Sequence, residues 1–169
     1  MEQADDAVVA VIMGSESDWD VMEHAVLALN ELGVPLECFI ISAHRTPDRL
    51  IKYVRNAQRN GIQIIIAGAG GGAAHLAGVV AANTSLPVHG VPIQSESVPS
   101  TLCMPGGVPV AAFSVGKAGA KNAALQAVRI LALHDGELAC RYQDWVAAQA
   151  RKVPVEPKGF KALNQGGKA

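Results

Sequence analysis

The chain has 169 residues and a formal net charge of −1, half of its residues are hydrophobic, and only 4% are aromatic. This length fits one domain with a substantial core, and the near-zero charge gives no electrostatic reason to expect nucleic acid or an anionic membrane as a partner. We find no apolar run near the roughly 20 residues of a membrane span, and no signal peptide. Cys38, Cys103 and Cys140 lack metal-ligand spacing, so we expect reduced thiols in a cytoplasmic protein.

Buried strands alternate with helices along the chain. The predicted strands cover 7–13, 36–41, 63–67, 88–92 and 109–115. The predicted helices cover 19–32, 47–59, a short segment ending near 83, 118–133 and 136–151. The Ser- and Pro-rich segment 94–107 is predicted to be a loop. We predict a single domain over 7–152, followed by a polar C-terminal extension over 153–169.

This alternation is typical of an α/β fold with a parallel sheet between two helical layers. We predict a three-layer, flavodoxin-like, five-stranded sheet in the order 2-1-3-4-5, with helices on both faces. In that order the first strand lies between the second and the third. The turns after these three strands therefore meet at one switch point, which is where open α/β sheets bind ligands.

The turn after the second strand, Ser42-Ala43-His44-Arg45-Thr46-Pro47, is the most informative. Within it, His44 is the residue whose type titrates near neutral pH, and Arg45 carries a fixed positive charge. Thr46 is placed to cap the following helix and Pro47 suits its first turn. A purely structural role for His44, as a hydrogen-bonding group in a sharp turn, is the alternative.

The other two turns carry small side chains. Gly14–Asp18 offers backbone N–H groups and hydroxyls that suit a phosphate, whereas Asp18 suits ligand hydroxyls or an amine; Ser17 or Asp18 also serves as a helix cap. Residues 68–74 carry nothing larger than a methyl group, so a ligand can lie on the backbone. This turn matches the text of a dinucleotide fingerprint but follows the wrong strand, which favours a small, flat, phosphorylated ligand.

The remaining histidines are weaker candidates. His24 and His134 fit structural roles in or beside helices, and His89 fits a satisfied core group in a strand. His75 follows the glycine-rich turn, and both a ligand contact and a structural role are open for it. No set of histidines, cysteines or carboxylates has convincing metal spacing.

Six motifs along the chain together resemble one family. They are Met13-Gly14-Ser15-x-Ser17-Asp18, Ser42-Ala43-His44-Arg45-Thr46-Pro47, Ile66-Ala67-Gly68-Ala69-Gly70, Ala73-Ala74-His75-Leu76, Gly90-Val91-Pro92-x-Gln94 and Gly116-Lys117-Ala118-Gly119. In this order they are similar to the PurE-type, class I N5-carboxyaminoimidazole ribonucleotide mutases of de novo purine biosynthesis. The resemblance covers roughly residues 7–152.

The resemblance implies a flavodoxin-like homo-octamer without a metal or organic cofactor. It implies transfer of a carboxyl group from the exocyclic nitrogen of a ribonucleotide to ring carbon C4, through CO2, with His44 as general acid and base. Ser15, Asp18 and Arg45 are implied to hold the phosphate and ribose. The remaining implied substrate contacts are Gly14, Ser17, Ser42, Ala43, Gly70, Gly71, Ala74, His75 and Leu76.

The chain departs from the family pattern in three places. Gly72 is an extra glycine, Ala77 replaces a usual proline, and Gln94–Met104 is shorter by several residues, so that a short helix is expected to be missing there. Arg45 favours the mutase over the branch that uses CO2 directly, which usually has Lys. A direct CO2-using carboxylase, a PurE-like enzyme for another nucleotide, and a noncatalytic nucleotide- or flavin-binding module are the alternatives.

Overall fold

The computed structural model describes residues 6–71, 74–157 and 159–160, and within them five strands form one parallel sheet. The strands are β1 (Val9–Met13), β2 (Leu36–Ile40), β3 (Ile64–Ala69), β4 (Val88–Pro92) and β5 (Ala111–Ala112). Their order is β2-β1-β3-β4-β5, which confirms the predicted flavodoxin-like topology. Val11 of β1 lies opposite Cys38 of β2 on one side and Ile66 of β3 on the other.

Helices cover both faces of the sheet. They are α1 (Trp19–Glu31), α2 (Pro47–Ala57), α3 (Leu76–Ala81), α4 (Val98–Leu102), α5 (Gly116–Leu131) and α6 (Gly136–Arg151). Successive residues of a strand point to opposite faces, so Val11 packs with α1, α5 and α6 while Ile12 packs with α2 and α3. Every residue of β1 is buried, which explains its continuous apolar sequence.

The segment predicted as a loop contains a 3₁₀ turn, Ser95–Ser97, followed by α4. The prediction that no helix lies here is wrong. Pro99 stands in the first turn of α4, where a backbone N–H has no partner within the helix, so its missing N–H costs no hydrogen bond. A Pro-rich segment is therefore compatible with the start of a helix. This helix packs closely on β4. Thr101 lies so near Gly90 that a Cβ added to the glycine would be 2.6 Å from Thr101 Cγ2. The last strand is also much shorter than predicted.

Several expectations lie wholly or partly outside the described residues. Gly72, the extra glycine, is one of them, as is most of the proposed C-terminal extension. Within the described residues of that extension, Val153 and Val155 are exposed. Among the described helices, none combines the length and apolar character needed to cross a bilayer.

A buried hydrogen bond joins α2 to β2. The hydroxyl of Tyr53 donates to Oε1 of Glu37 over 2.5 Å, and both residues are buried. Burial, with the Glu37 carboxylate beside it, raises the pKa of Tyr53. This bond fixes α2, which begins directly after the His44 turn, against the strand that precedes the turn.

Replacing Tyr53 with Phe is expected to lower the free energy of unfolding by about 1–3 kcal/mol, because Glu37 loses its partner in a buried position. Urea unfolding followed by circular dichroism measures the change. Tyr142→Phe is the control, since the Tyr142 ring stacks on Trp145 and its hydroxyl has no hydrogen bond within the described part of the chain. Equal losses for the two variants would contradict the assigned role.

His89 is a core group, as predicted: it is buried in β4, and its Nδ1 lies 3.0 Å from the carbonyl oxygen of Ala123. Burial lowers the pKa of His89. The unfolded chain therefore binds more protons below a pH of about 6.5, and stability falls with acidification. We expect urea midpoints to fall less between pH 7 and pH 5 in His89→Gln than in the wild type. Parallel pH profiles would contradict this.

Candidate active site

The turns after β1, β2 and β3 enclose an open cleft of about 350 Å³ at the carboxyl edge of the sheet. The residues that line it are Gly14, Ser15, Ser17, Asp18, Ser42, Ala43, His44, Arg45, Ala69, Gly70, Gly71, His75 and Leu76. The structure thus brings together all the predicted site residues except Ala74, which is buried in the core among residues of α2 and α3. Ala69 also lines the cleft and was not predicted.

The turn after β1 folds back on itself around Asp18. The Ser15 backbone N–H donates to Asp18 Oδ2 over 3.1 Å, and the Ser17 hydroxyl donates to the Ser15 hydroxyl over 3.1 Å. Asp18 precedes α1 but makes no side-chain capping bond to that helix. Burial raises the pKa of the Asp18 carboxyl, and the backbone N–H groups of Ser15 and Gly14 and the charge of Arg45 oppose this shift.

The turn after β2 is closed by hydroxyl groups. Thr46 Oγ1 accepts from the Ser42 N–H and donates to the Ser42 carbonyl, both over 3.0 Å. Thr46 is the N-cap residue of α2, as predicted, but its hydroxyl closes the turn and makes no capping hydrogen bond. Ser42 Oγ accepts from the Arg45 N–H over 3.1 Å. Arg45 Nη2 donates to the Gly14 carbonyl over 3.2 Å, which ties this turn to the turn after β1.

His44 faces a second histidine across the cleft. Its Nε2 lies 3.0 Å from Nδ1 of His75, and the two rings meet edge-on at 86°. Both rings are exposed to the cleft and to solvent. One of the two nitrogens must carry the shared proton, so each ring constrains the orientation and tautomer of the other. No local sequence pattern predicts this contact, because His44 and His75 are 31 positions apart.

The third wall of the cleft is backbone. A Cβ at Gly70 would lie 3.1 Å from Ile93 Cβ and 3.2 Å from Asp18 Oδ1, so only glycine fits without displacing a neighbour. Gly71 has φ +74°, a conformation that favours glycine. Gly70 and Gly71 therefore present peptide groups, and not side chains, to the cleft.

The other histidines lie away from the cleft. His24 is half-buried in α1, and His134 is exposed just after α5. Across the described part of the chain, no group of three or more His, Cys, Asp or Glu side chains is arranged to hold a metal ion.

The fold and the cleft together define a flavodoxin-like α/β protein with a switch-point site for a small ligand. The chain belongs to the AIR carboxylase family, whose model matches residues 8–152. It is 50% identical over 155 residues to the N5-carboxyaminoimidazole ribonucleotide mutase of Brucella melitensis, covering 88% of this chain and 95% of that protein. It is 55% identical over 138 residues to the Bacillus subtilis protein of the same name, covering 78% and 85%.

A solved structure gives the same result. The crystal structure of Treponema denticola PurE superimposes with a TM-score of 0.78 at 28% sequence identity, covering 86% of this chain and 93% of that one. The family resemblance found in the six sequence motifs is therefore confirmed, and the family model spans residues 8–152.

The contact between His44 and His75 leads to a prediction about the tautomer of the His44 ring. Replacing His75 with Phe keeps an aromatic edge but removes the Nδ1 partner, so we expect neutral His44 to change from one dominant tautomer to a mixture. Nitrogen-15 NMR of the imidazole groups measures the two populations. The signals of His134 serve as the internal reference. A tautomer mixture that is the same with and without His75 would contradict the pairing.

Proposed function

We propose that the protein is an N5-carboxyaminoimidazole ribonucleotide mutase, an isomerase of de novo purine biosynthesis. It converts its substrate to 4-carboxy-5-aminoimidazole ribonucleotide without a metal or organic cofactor. The observation that carries the proposal is the meeting of His44, Arg45 and the glycine-rich turn in one cleft. Relatives of that name are about half identical over most of their length, which supports the same reaction here.

His44 is the proton-transfer group in this proposal. As an acid it gives its proton to the exocyclic nitrogen while the nitrogen–carboxyl bond breaks and CO2 leaves. The enamine-like C4 of the ring then attacks CO2, and a carbon–carbon bond forms. Neutral His44 removes the C4 proton, which restores the aromatic ring and the protonated histidine. The net change is one carboxyl group moved in one direction and one proton moved in the other.

His75 is a positioning residue for this exchange. The 3.0 Å contact holds Nε2 of His44 against Nδ1 of His75. The opposite edge of the His44 ring is thereby oriented toward the substrate. A fixed orientation matters because the same histidine must reach two different atoms of the substrate in turn.

The remaining lining residues hold the ribonucleotide. Arg45 and Ser15 suit the phosphate, and the Asp18 carboxylate suits the ribose hydroxyls, as its burial beside the Ser15 backbone N–H supports. The flat ring rests on the glycine-rich turn. The residues assigned to line the ring and sugar are Gly14, Ser17, Ser42, Ala43, Gly70, Gly71, His75 and Leu76, with Ala74 behind them.

CO2 and the homo-octamer belong to the same proposal. The cleft is open in the single chain, and a CO2 intermediate needs a site with little room for water. Leu102 and Leu133 expose 63% and 75% of their surface, which offers apolar surface for packing against further copies in the proposed octamer. The location is proposed to be cytoplasmic, with no nucleic acid or membrane as a partner.

The decisive test compares the wild type with His44→Asn. Ultraviolet absorbance follows the conversion of N5-carboxyaminoimidazole ribonucleotide without ATP. We expect the wild type to form the C4-carboxylated product and the variant to lose about 10²–10⁴-fold in kcat, since a general acid–base group is removed. Binding of the ribonucleotide is expected to remain.

His134→Asn is the matched control, because it removes an exposed histidine outside the cleft and is expected to keep full activity. Near-normal turnover by His44→Asn would overturn the role of His44. Product formed from aminoimidazole ribonucleotide and bicarbonate, but not from the N5-carboxylated substrate, would identify a direct carboxylase instead.

A further inference from the structure

A second cavity of about 370 Å³, here called the outer cavity, adjoins the candidate active site. It shares Gly14, Ser15, Ser42 and Arg45 with the cleft and adds Glu16 and Arg49 to its lining. Four shared residues mean that the cleft and the outer cavity are two ends of one groove.

Arg45 forms the wall between the two ends. Its Nη2 donates to the Gly14 carbonyl over 3.2 Å, and its Nε donates to Ser42 Oγ over 3.5 Å. The side chain therefore crosses from the turn after β2 to the turn after β1. His44 and the glycine-rich turn line the cleft only, whereas Arg49 lines the outer cavity only.

The two ends differ in charge. Among the described residues that line the cleft, Arg45 is the one permanent cation, and two of its N–H groups already bind the chain itself. A phosphate monoester carries about 1.5–2 negative charges at neutral pH. Arg49, an exposed residue in the first turns of α2, supplies a second guanidinium on the outer side. Glu16 is also exposed there and opposes an anion.

We propose that Arg49 extends the phosphate end of the site, held by Ser15 and Arg45, into the outer cavity, and that it is a specificity-determining residue that favours a ribonucleotide over the corresponding nucleoside. The inference rests on the proposed function and adds a residue that the family resemblance did not supply. Arg49 contacts the substrate at the phosphate, remote from the bonds that change. Glu16 lines the same cavity, and its negative charge weakens the binding of the phosphate.

The kinetic test uses two variants that are expected to change KM in opposite directions. Arg49→Gln is expected to raise KM about 5–20-fold and to leave kcat within about twofold, because it removes an exposed ionic contact that is equal in the ground and transition states. Glu16→Gln is expected to lower KM. Arg55→Gln, an exposed change in the last turn of the same helix and outside both cavities, is the control. Equal KM values for Arg49→Gln and Arg55→Gln would overturn the inference.

Calorimetry separates this inference from the proposed reaction. Aminoimidazole ribonucleotide, the corresponding nucleoside and inorganic phosphate are titrated into the wild type and Arg49→Gln. Weaker ribonucleotide binding with unchanged nucleoside binding supports the outer cavity, even if the wild type shows no turnover and the proposed reaction fails. Inorganic phosphate that binds without competing with the ribonucleotide would overturn it, because the site would then serve a free anion.

Discussion

The central position of β1 is the constraint on which the rest of the structure depends. β1 pairs in parallel with β2 on one side and β3 on the other, and all five of its residues are buried. Parallel strands place their carboxyl ends at one edge, so the three turns that follow must meet there. Hydrogen bonds continue this pairing beyond the strands: the Ile41 N–H donates to the Met13 carbonyl over 2.8 Å, and the Gly14 N–H donates to the Gly68 carbonyl over 3.3 Å.

The side chains of the turns then fix the geometry that the sheet has assembled. Thr46 closes the turn that carries His44, and Arg45 fastens that turn to the carbonyl of Gly14. Tyr53 and Glu37 hold α2 against β2 from the buried side. These contacts preorganise the histidine, the guanidinium and the backbone wall before a ligand arrives, which is how a site lowers the cost of orienting a substrate.

Small side chains link the core to the site. On one face of the sheet, α5 contributes mainly alanine to the core, with Ala120, Ala123, Ala124 and Ala127 fully buried, so the helix packs closely without aromatic residues. At the carboxyl edge of the sheet, residues without side chains likewise leave the backbone exposed, at Gly70 and Gly71. In the proposed reaction, the substrate ring and CO2 would both rest on this backbone wall.

The sequence by itself determined the parallel α/β fold and the three turns of the site, because hydrophobic periodicity and turn chemistry are local properties. The strand order was predicted from the topology that such alternating strands and helices commonly adopt. Tertiary structure decided the rest. The contact between His44 and His75 joins residues 31 positions apart, and α4 forms where Thr101 packs on Gly90 of β4. The hydroxyl of Thr46, at the N-cap of α2, closes its turn and makes no capping hydrogen bond, and Ala74 lies in the core, not in the cleft. These outcomes depend on which groups the register of the sheet brings within contact distance, and no local pattern carries that information.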